Sequence, residues 1–225
     1  LLLKQPTLLR LNLGIFALHL ALMAAFVVIP TMLSGQLGFS GDDLWWVYLA
    51  LLGGGFVAML PVMILSEKYQ RQKLTFVSAI ARMTVAMLVL GREQGAILTL
   101  AMLLLFFAAF NLLEATLPSW LSKVCPAGSR GTAMGIYSTS QFMGAFVGGT
   151  LGGWSLQQFG ITGVFLLVAV VLAFWWFLSL SLKSPRPLQT LVLQVGEMEH
   201  RDFVKIISNI VGVEDILVVK GESLA

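Results

Sequence analysis

The segment AILTLAMLLLFFAAFNLLEATLPSWL, residues 96–121, decides the fold class, because it is apolar over a length that crosses a lipid bilayer as a helix. About 20 consecutive apolar residues are needed to span the hydrocarbon core. Further stretches of this kind lie near 11–33, 44–66, 74–91, 132–154 and 161–182. Short breaks rich in Gly, Ser, Gln or charge separate them, so residues 1–183 are predicted to form an all-α membrane bundle of six transmembrane helices.

The composition of the chain agrees with a membrane protein and excludes several other classes. Of its 225 residues, 58% are hydrophobic and 11% are charged, and the mean hydropathy is +0.90, whereas soluble domains are about 25% charged. The basic residues lie in short loops rather than on one face, so the lipid bilayer is an expected partner and nucleic acid is not. The single cysteine, Cys125, excludes an internal disulfide and a cluster of thiolate metal ligands.

The distribution of lysine and arginine predicts the orientation of the chain. One side of the predicted bundle carries Lys4, Arg10, Lys68, Arg71, Lys73, Lys123, Arg130, Lys183 and Arg186. The opposite side carries only Arg92, next to three carboxylates. Because basic loops stay in the cytoplasm, we expect a multi-pass protein of the inner (plasma) membrane with both ends of this chain in the cytoplasm.

Aromatic residues near the predicted ends of the spans fit this orientation. Trp45 and Trp46 are expected at the outer interface and Trp120 at the inner one, because amphipathic rings favour the headgroup layer. We interpret these side chains as membrane anchors rather than as ligand contacts.

The residues after the last span have a different pattern, which predicts a small cytoplasmic domain. Residues 184–188 contain two prolines and are predicted to be a linker. Residues 190–195 and 213–219 are rich in β-branched residues, and 199–211 has a helical apolar stripe, so residues 189–225 read as a βαβ unit. This α+β segment is too short to bury a core by itself, and we expect it to be half of a domain that is completed elsewhere or by a second copy in a homodimer.

Polar residues inside the apolar spans are the candidate functional residues. Glu114, Arg82 and His19 all lie roughly 10–12 Å from the cytoplasmic boundary, at the 1.5 Å rise per residue of a helix. Ionisable groups at this depth are costly and usually mark a pathway or a pair. Asn111 shares a helix face with Glu114, and Pro118 removes a backbone donor from the same helix.

These residues leave three interpretations of Glu114 open. Its carboxylate exchanges a proton or pairs with a cation, or it forms a structural ion pair with Arg82, or it simply lies near the membrane interface. The long Arg82 side chain can also reach the inner interface. For His19 we expect a neutral, hydrogen-bonded imidazole inside the bundle.

Glycines in the fifth predicted span indicate close helix packing. Gly144, Gly148 and Gly152 recur every four residues, as do Gly149 and Gly153. Small residues at this spacing let another backbone approach closely. We interpret the face as a tight contact, or as one that moves when the protein changes state.

The arrangement of the six spans suggests an internal repeat. The second span of each triplet carries a glycine cluster, LLGGGFVAMLP at 51–61 and MGAFVGGTLGGW at 143–154. A triplet has an odd number of spans, so the second triplet is inverted relative to the first, as in many secondary transporters.

The loop MILSEKYQRQK, residues 63–73, resembles the motif A loop, G-x-L-a-D-[RK]-x-G-[RK]-[RK], of the major facilitator superfamily. Glu67 stands for the Asp, and Lys68, Arg71 and Lys73 supply basic positions, although Met63 and Gln70 replace both glycines. The glycine-rich fifth span is similar to motif C of the drug:proton antiporters.

This resemblance implies that the chain is the C-terminal half of a transporter with a 3+3 inverted repeat. Since the chain starts at Leu1 without a signal peptide, we expect the N-terminal half upstream. The helices of His19, Asn111 and Glu114 would line the central cavity, whereas that of Arg82 would be peripheral. The tail is similar to ferredoxin-like domains of such antiporters but lacks a Met-x-Cys-x-x-Cys loop, so no metal or other cofactor is expected.

The function implied is secondary active transport, in which protons drive the efflux of small, drug-like molecules by alternating access. The alternative is a membrane-anchored sensor or regulatory protein whose soluble tail binds a ligand or partner. An enzyme is not expected, because the spans contain no H-E-x-x-H, no G-x-S-x-G and no paired catalytic carboxylates.

Overall fold

The computed structural model describes residues 5–92, 95–125, 127–182, 206–207 and 210. Five helices follow one another: α1 (Pro6–Gly35), α2 (Leu44–Lys68), α3 (Gln72–Leu90), α4 (Ala96–Val124) and α5 (Arg130–Ser179). Each is long and apolar enough to cross a membrane. A short 3-10 turn, Ala127–Ser129, precedes α5. The protein is therefore a multi-pass helical membrane protein.

The predicted fold class is wrong in its details. The described residues hold five membrane-length helices rather than six separate ones, because the spans predicted at 132–154 and 161–182 belong to α5, whose two arms join at a kink without a loop between them. Of the intervening residues, 155–159 remain helical, and only Gly160 leaves the helical conformation. The described part of the chain is all-helical and contains no strand, whereas the predicted linker 184–188 and the predicted strands 190–195 and 213–219 lie outside it.

α5 consists of two helical arms, and the chain folds back between them at Gly160. This residue has φ 67° and ψ −167°, a region that is essentially restricted to glycine. A straight helix would separate Gly144 from Trp175 by about 46 Å. Instead Gly144 lies against the backbone of Phe16, and a β-carbon added at Gly14 would lie 3.0 Å from Nε1 of Trp175. The arm before Gly160 therefore runs parallel to α1, and the arm after it runs antiparallel.

The core is built around α1 and a layer of aromatic rings. α1 packs mainly along α5, whereas α4 packs mainly against α2 and α3. The Phe76 ring stacks on that of Trp120 with centroids 4.7 Å apart, and it meets the Trp175 ring edge-on at 5.9 Å. Trp120 is only 2% exposed, so its predicted role as an interface anchor is wrong. These rings join α3, α4 and the second arm of α5.

Two helix faces leave large apolar side chains uncovered. On α2 they include Trp45, Trp46, Phe56, Val57 and Ile64, and on α5 they include Phe142, Phe146, Trp154, Phe159 and Phe174. The rings of Trp45 and Trp46 stack with their centroids 4.0 Å apart at the start of α2. In a membrane, such faces contact lipid or another part of the protein.

Candidate functional site

Three polar side chains from three helices meet in the apolar part of the bundle. Gln141 of α5 places its amide nitrogen 2.8 Å from Nε2 of His19 on α1. The same nitrogen donates to Oε1 of Glu114 on α4 at 3.4 Å. Nδ1 of His19 lies 3.8 Å from Oε2 of Glu114. We call His19, Glu114 and Gln141 the polar triad.

Within the polar triad, His19 is more sheltered from solvent than Glu114. The side chain of His19 is 13% exposed and that of Glu114 is 36% exposed. The Phe110 ring covers His19 edge-on, with centroids 5.8 Å apart. His19 Nδ1 and Glu114 Oε2 are both buried and have no hydrogen-bond partner among the described residues. Such groups are poised to take a proton, a water or a ligand, because an unpaired buried polar atom costs about 1–3 kcal/mol.

Further polar atoms surround the triad without being satisfied in the described part of the chain. They are Nδ2 of Asn111, one turn before Glu114, and the hydroxyl of Tyr137, one turn before Gln141. The arrangement can therefore offer hydrogen-bond donors to an ion, a water or a small polar group beside the carboxylate.

Local helix chemistry positions two members of the triad. Gln141 lies one turn before Gly144, where the absence of a side chain lets α5 touch the backbone of α1. Pro118 lies four residues after Glu114 inside α4. Because proline has no N–H, the helical hydrogen bond to the carbonyl oxygen of Glu114 is missing. The site thus combines close helix packing with a local weakening of the α4 backbone.

The structure brings together only some of the residues predicted to form the site. His19 and Glu114 meet, and Asn111 lies next to them on α4. Arg82 is exposed on α3, and among the described residues the one contact within 4.0 Å between an acidic and a basic side chain joins Glu114 to His19 rather than to Arg82. The interpretation of Glu114 as a structural partner of Arg82 therefore has no geometric support.

Sequence reasoning missed Gln141. The signal that could have found it is a carboxamide inside an apolar span, one turn before the glycine series. A neutral amide costs much less in a bilayer than a charge, so it stands out less than Glu114 does.

The glycines of α5 divide into two sets with different surroundings. Gly144, Gly148 and Gly152 lie against the backbones of Phe16, Leu20 and Ala24 of α1, respectively. Gly149 and Gly153 have no described atom within 4 Å of an added β-carbon. Close backbone packing is therefore a property of one row of glycines only.

The loop that resembles motif A connects α2 to α3. Glu67, Lys68, Arg71 and Lys73 are all exposed there, and within the described residues none of them forms an ion pair shorter than 4.0 Å. Gln70 adopts a left-handed conformation with φ 53°, at one of the positions where the family pattern has glycine. Its side-chain amide donates to the carbonyl of Glu67 at 3.0 Å. Gln70 thus has the left-handed backbone conformation that glycine favours, although it is not a glycine.

Comparison with known proteins gives these observations a context. The family model of the Major Facilitator Superfamily matches residues 11–217. The inner membrane transport protein YajR of Escherichia coli K12 is 38% identical over 226 residues, which cover 99% of this chain and 50% of YajR. An uncharacterized transporter of Buchnera aphidicola (subsp. Acyrthosiphon pisum) is 36% identical over 140 residues, which cover 62% of this chain and 36% of that protein.

A second uncharacterized transporter, from Buchnera aphidicola (subsp. Baizongia pistaciae), is 29% identical over 181 residues. These residues cover 79% of this chain and 46% of that protein. The chain thus spans half or less of the length of these curated relatives.

Proposed function

Because this chain belongs to the major facilitator superfamily and its relatives are transport proteins, we propose that it forms one half of a proton-coupled efflux transporter. The whole protein would work by alternating access and would belong to the drug:proton antiporter branch. The substrates would be small, drug-like molecules. The single observation that carries this proposal is the partly buried pair of His19 and Glu114.

The chemistry of the pair supports proton coupling. Both groups can gain and lose a proton, and they lie in the apolar part of the bundle, where ionisable residues usually serve a substrate or proton pathway. The nearest approach of the pair is 3.8 Å, which is too long for a hydrogen bond. A carboxylate and an imidazole held in this way are free to take up protons without first breaking a strong ion pair.

The uncovered faces of the bundle support a missing partner half. The side chain of Glu114 remains 36% exposed, and α2 and α5 expose apolar rows that include Phe56 and Phe146. In our proposal the N-terminal half covers part of these faces and encloses a cavity next to the polar triad. The lipid bilayer covers the rest.

The loops define the orientation that we propose. The α2–α3 loop with Lys68, Arg71 and Lys73 would face the cytoplasm, together with both ends of the chain. This follows from the positive-inside rule. The α1–α2 loop with Asp42 and Asp43 would face the opposite side.

The proposal is tested with a Glu114→Gln variant of the full-length protein that contains this chain, reconstituted in proteoliposomes. We expect the pH gradient to drive accumulation of ethidium, a fluorescent lipophilic cation, in proteoliposomes with the wild type. The rate of this accumulation should be at least tenfold lower with the variant. Glutamine keeps the size of the side chain but cannot exchange a proton. Exchange of ethidium without a gradient should continue, because binding and the conformational change remain.

The matched control is Asp42→Asn, which removes an exposed carboxylate from the α1–α2 loop. It should transport as the wild type does. If Glu114→Gln kept the full response to the pH gradient, Glu114 would not be the coupling group. If the wild type moved neither ethidium nor a panel of neutral dyes under any gradient, drug efflux would be the wrong function.

A further inference from the structure

One amide nitrogen serves both ionisable members of the polar triad. Nε2 of Gln141 lies 2.8 Å from Nε2 of His19 and 3.4 Å from Oε1 of Glu114. A carboxamide nitrogen carries two hydrogens and accepts none. Each hydrogen therefore points to one partner, and Nε2 of His19 must present a lone pair. The proton of the neutral imidazole then sits on Nδ1, the nitrogen that faces Oε2 of Glu114.

We propose that Gln141 is a positioning residue that holds His19 as the neutral Nδ1–H tautomer for as long as Glu114 is ionised. Protonation of His19 then follows protonation of Glu114, and the site takes up and releases two protons as a linked pair. Its meaning for transport rests on the proposed function, but the tautomer itself is a property of the resting protein.

The hydrogen-bond inventory of the three groups explains the order. If His19 gained a proton on Nε2, two donors would face each other across 2.8 Å. The amide of Gln141 would have to turn its carbonyl oxygen toward His19. That oxygen would then meet Oε1 of Glu114, which is also an acceptor. The clash is removed only when a proton lies on Glu114 and is donated to the carbonyl oxygen.

Without the amide, the expected order is the reverse. A carboxylate within about 4 Å of an imidazole favours the charged imidazolium and hence an ion pair. Gln141 occupies Nε2 of His19 and opposes this pairing. With the amide of Gln141, the site takes up two protons in sequence. Without it, His19 and Glu114 would form a simple ion pair.

Other titratable groups near the triad do not change this outcome among the described residues. α5 contributes Tyr137, and its hydroxyl has no partner there. Arg10, lower on α1, bonds to the carbonyl of Ser181 at 3.3 Å, and Arg82 of α3 is exposed. Among the described residues, His19 is the one basic side chain with a nitrogen within 4.0 Å of a Glu114 oxygen.

The test is the ¹⁵N spectrum of His19 in the full-length protein, labelled with ¹⁵N-histidine and placed in lipid nanodiscs. A His200→Gln background removes the other histidine of this chain, and the spectrum of His19→Gln identifies the signal of interest. Protonated and bare ring nitrogens resonate far apart. At neutral pH we expect a protonated Nδ1 and a bare Nε2, with the Nδ1–H tautomer in excess by about tenfold, the equivalent of one net hydrogen bond.

The variant Gln141→Leu removes the donor and keeps an apolar side chain of similar size. We expect the tautomer ratio to fall by about tenfold, or the imidazolium signal to appear at the same pH. Ser140→Ala is the matched control, because within the described residues the hydroxyl of Ser140 donates to the carbonyl of Ile136 in its own helix. It should leave the spectrum unchanged, and both variants should retain the melting temperature of the wild type within a few degrees.

A wild-type spectrum with a protonated Nε2, or a Gln141→Leu spectrum equal to that of the wild type, would overturn the inference. This result can be told apart from the result of the transport test. If Glu114→Gln loses gradient-driven transport but His19 of the wild type has a protonated Nε2, the proposed function stands and this role of Gln141 does not. The expected tautomer with unaffected Glu114→Gln transport would remove Glu114 as the coupling group and leave the role of Gln141 standing.

Discussion

At the scale of single residues, the contact between α1 and α5 depends on the absence of side chains. A β-carbon at Gly148 would meet the carbonyl oxygen of Leu20 and lie 2.7 Å from its α-carbon. We therefore expect Gly148→Ala to destabilise the bundle by about 1–3 kcal/mol, since α1 must move away. The free energy of unfolding in mixed micelles, measured by denaturant titration, checks this value.

Gly149→Ala provides the comparison on the same helix turn. Nothing described lies within 4 Å of its added β-carbon, and alanine favours helix more than glycine does by about 1 kcal/mol. This variant should match or exceed the stability of the wild type. Equal loss of stability in both variants would show that helix packing does not distinguish the two rows of glycines.

The sequence allows part of the site to be predicted at this scale. Depth counting placed His19 and Glu114 at one level, because helical rise is constant along a span. It could not choose between His19 and Arg82 as the partner of Glu114, since that choice depends on helix rotation. Trp120 was misplaced for a related reason. Its ring is buried and stacks on that of Phe76 rather than facing the headgroups, and a position near the end of a span does not reveal the face.

At the scale of elements, the fold-back of α5 depends on Gly160. Its φ of 67° and ψ of −167° are reached by other residues only at a cost of about 1–3 kcal/mol. We expect Gly160→Ala to lower the melting temperature and the yield of monodisperse protein, because both arms of α5 pack on α1. Thermal unfolding monitored by tryptophan fluorescence checks the effect.

Gly153→Ala is the control for this prediction, since Gly153 is helical and has open space around it. It should unfold at or above the wild-type temperature. A Gly160→Ala protein as stable as Gly153→Ala would mean that the chain reverses by another backbone conformation.

The sequence predicted a break near Gly160 but not its form. A run of Ser, Gln and Gly between two apolar stretches usually marks a loop. Here Ser155 and the residues after it stay helical, and one glycine makes the whole reversal. Hydropathy records where a chain leaves the apolar zone, whereas the number of separate helices depends on backbone angles that hydropathy does not encode.

At the scale of the whole molecule, the proposed orientation predicts which loops a reagent can reach. In a Cys125→Ser background, Asp42→Cys should react with a membrane-impermeant maleimide on intact cells. Lys123→Cys should react only after the membrane is permeabilised. Both positions are exposed in the structure, so a difference in labelling reports the side of the membrane.

Labelling of Lys123→Cys on intact cells, with Asp42→Cys protected, would reverse the orientation. Equal labelling of both in intact cells would indicate that the chain is not inserted as a bundle. Cys125 itself is buried, and its replacement by serine is the background in which both variants are compared.

Membrane-spanning character and family were predictable from the sequence, because an apolar run of about 20 residues has few alternatives. The grouping of the helices was not. Loops such as that at Gln70 join helices that are neighbours in sequence, but α1 packs mainly on α5, the last of the described helices in chain order. Such long-range pairing arises from the fit of Gly144 and its row to one particular backbone.

This pairing has a consequence for the polar triad. His19 and Gln141 sit on two helices that are locked backbone to backbone, whereas Glu114 belongs to α4, which makes few contacts with α5. The distance between His19 and Gln141 is therefore set by this close contact between α1 and α5. If α4 shifts relative to α1 and α5, the distances from Glu114 to His19 and to Gln141 change, whereas the distance between His19 and Gln141 does not. A movement of α4 alone would therefore connect the carboxylate to the other two side chains or disconnect it from them.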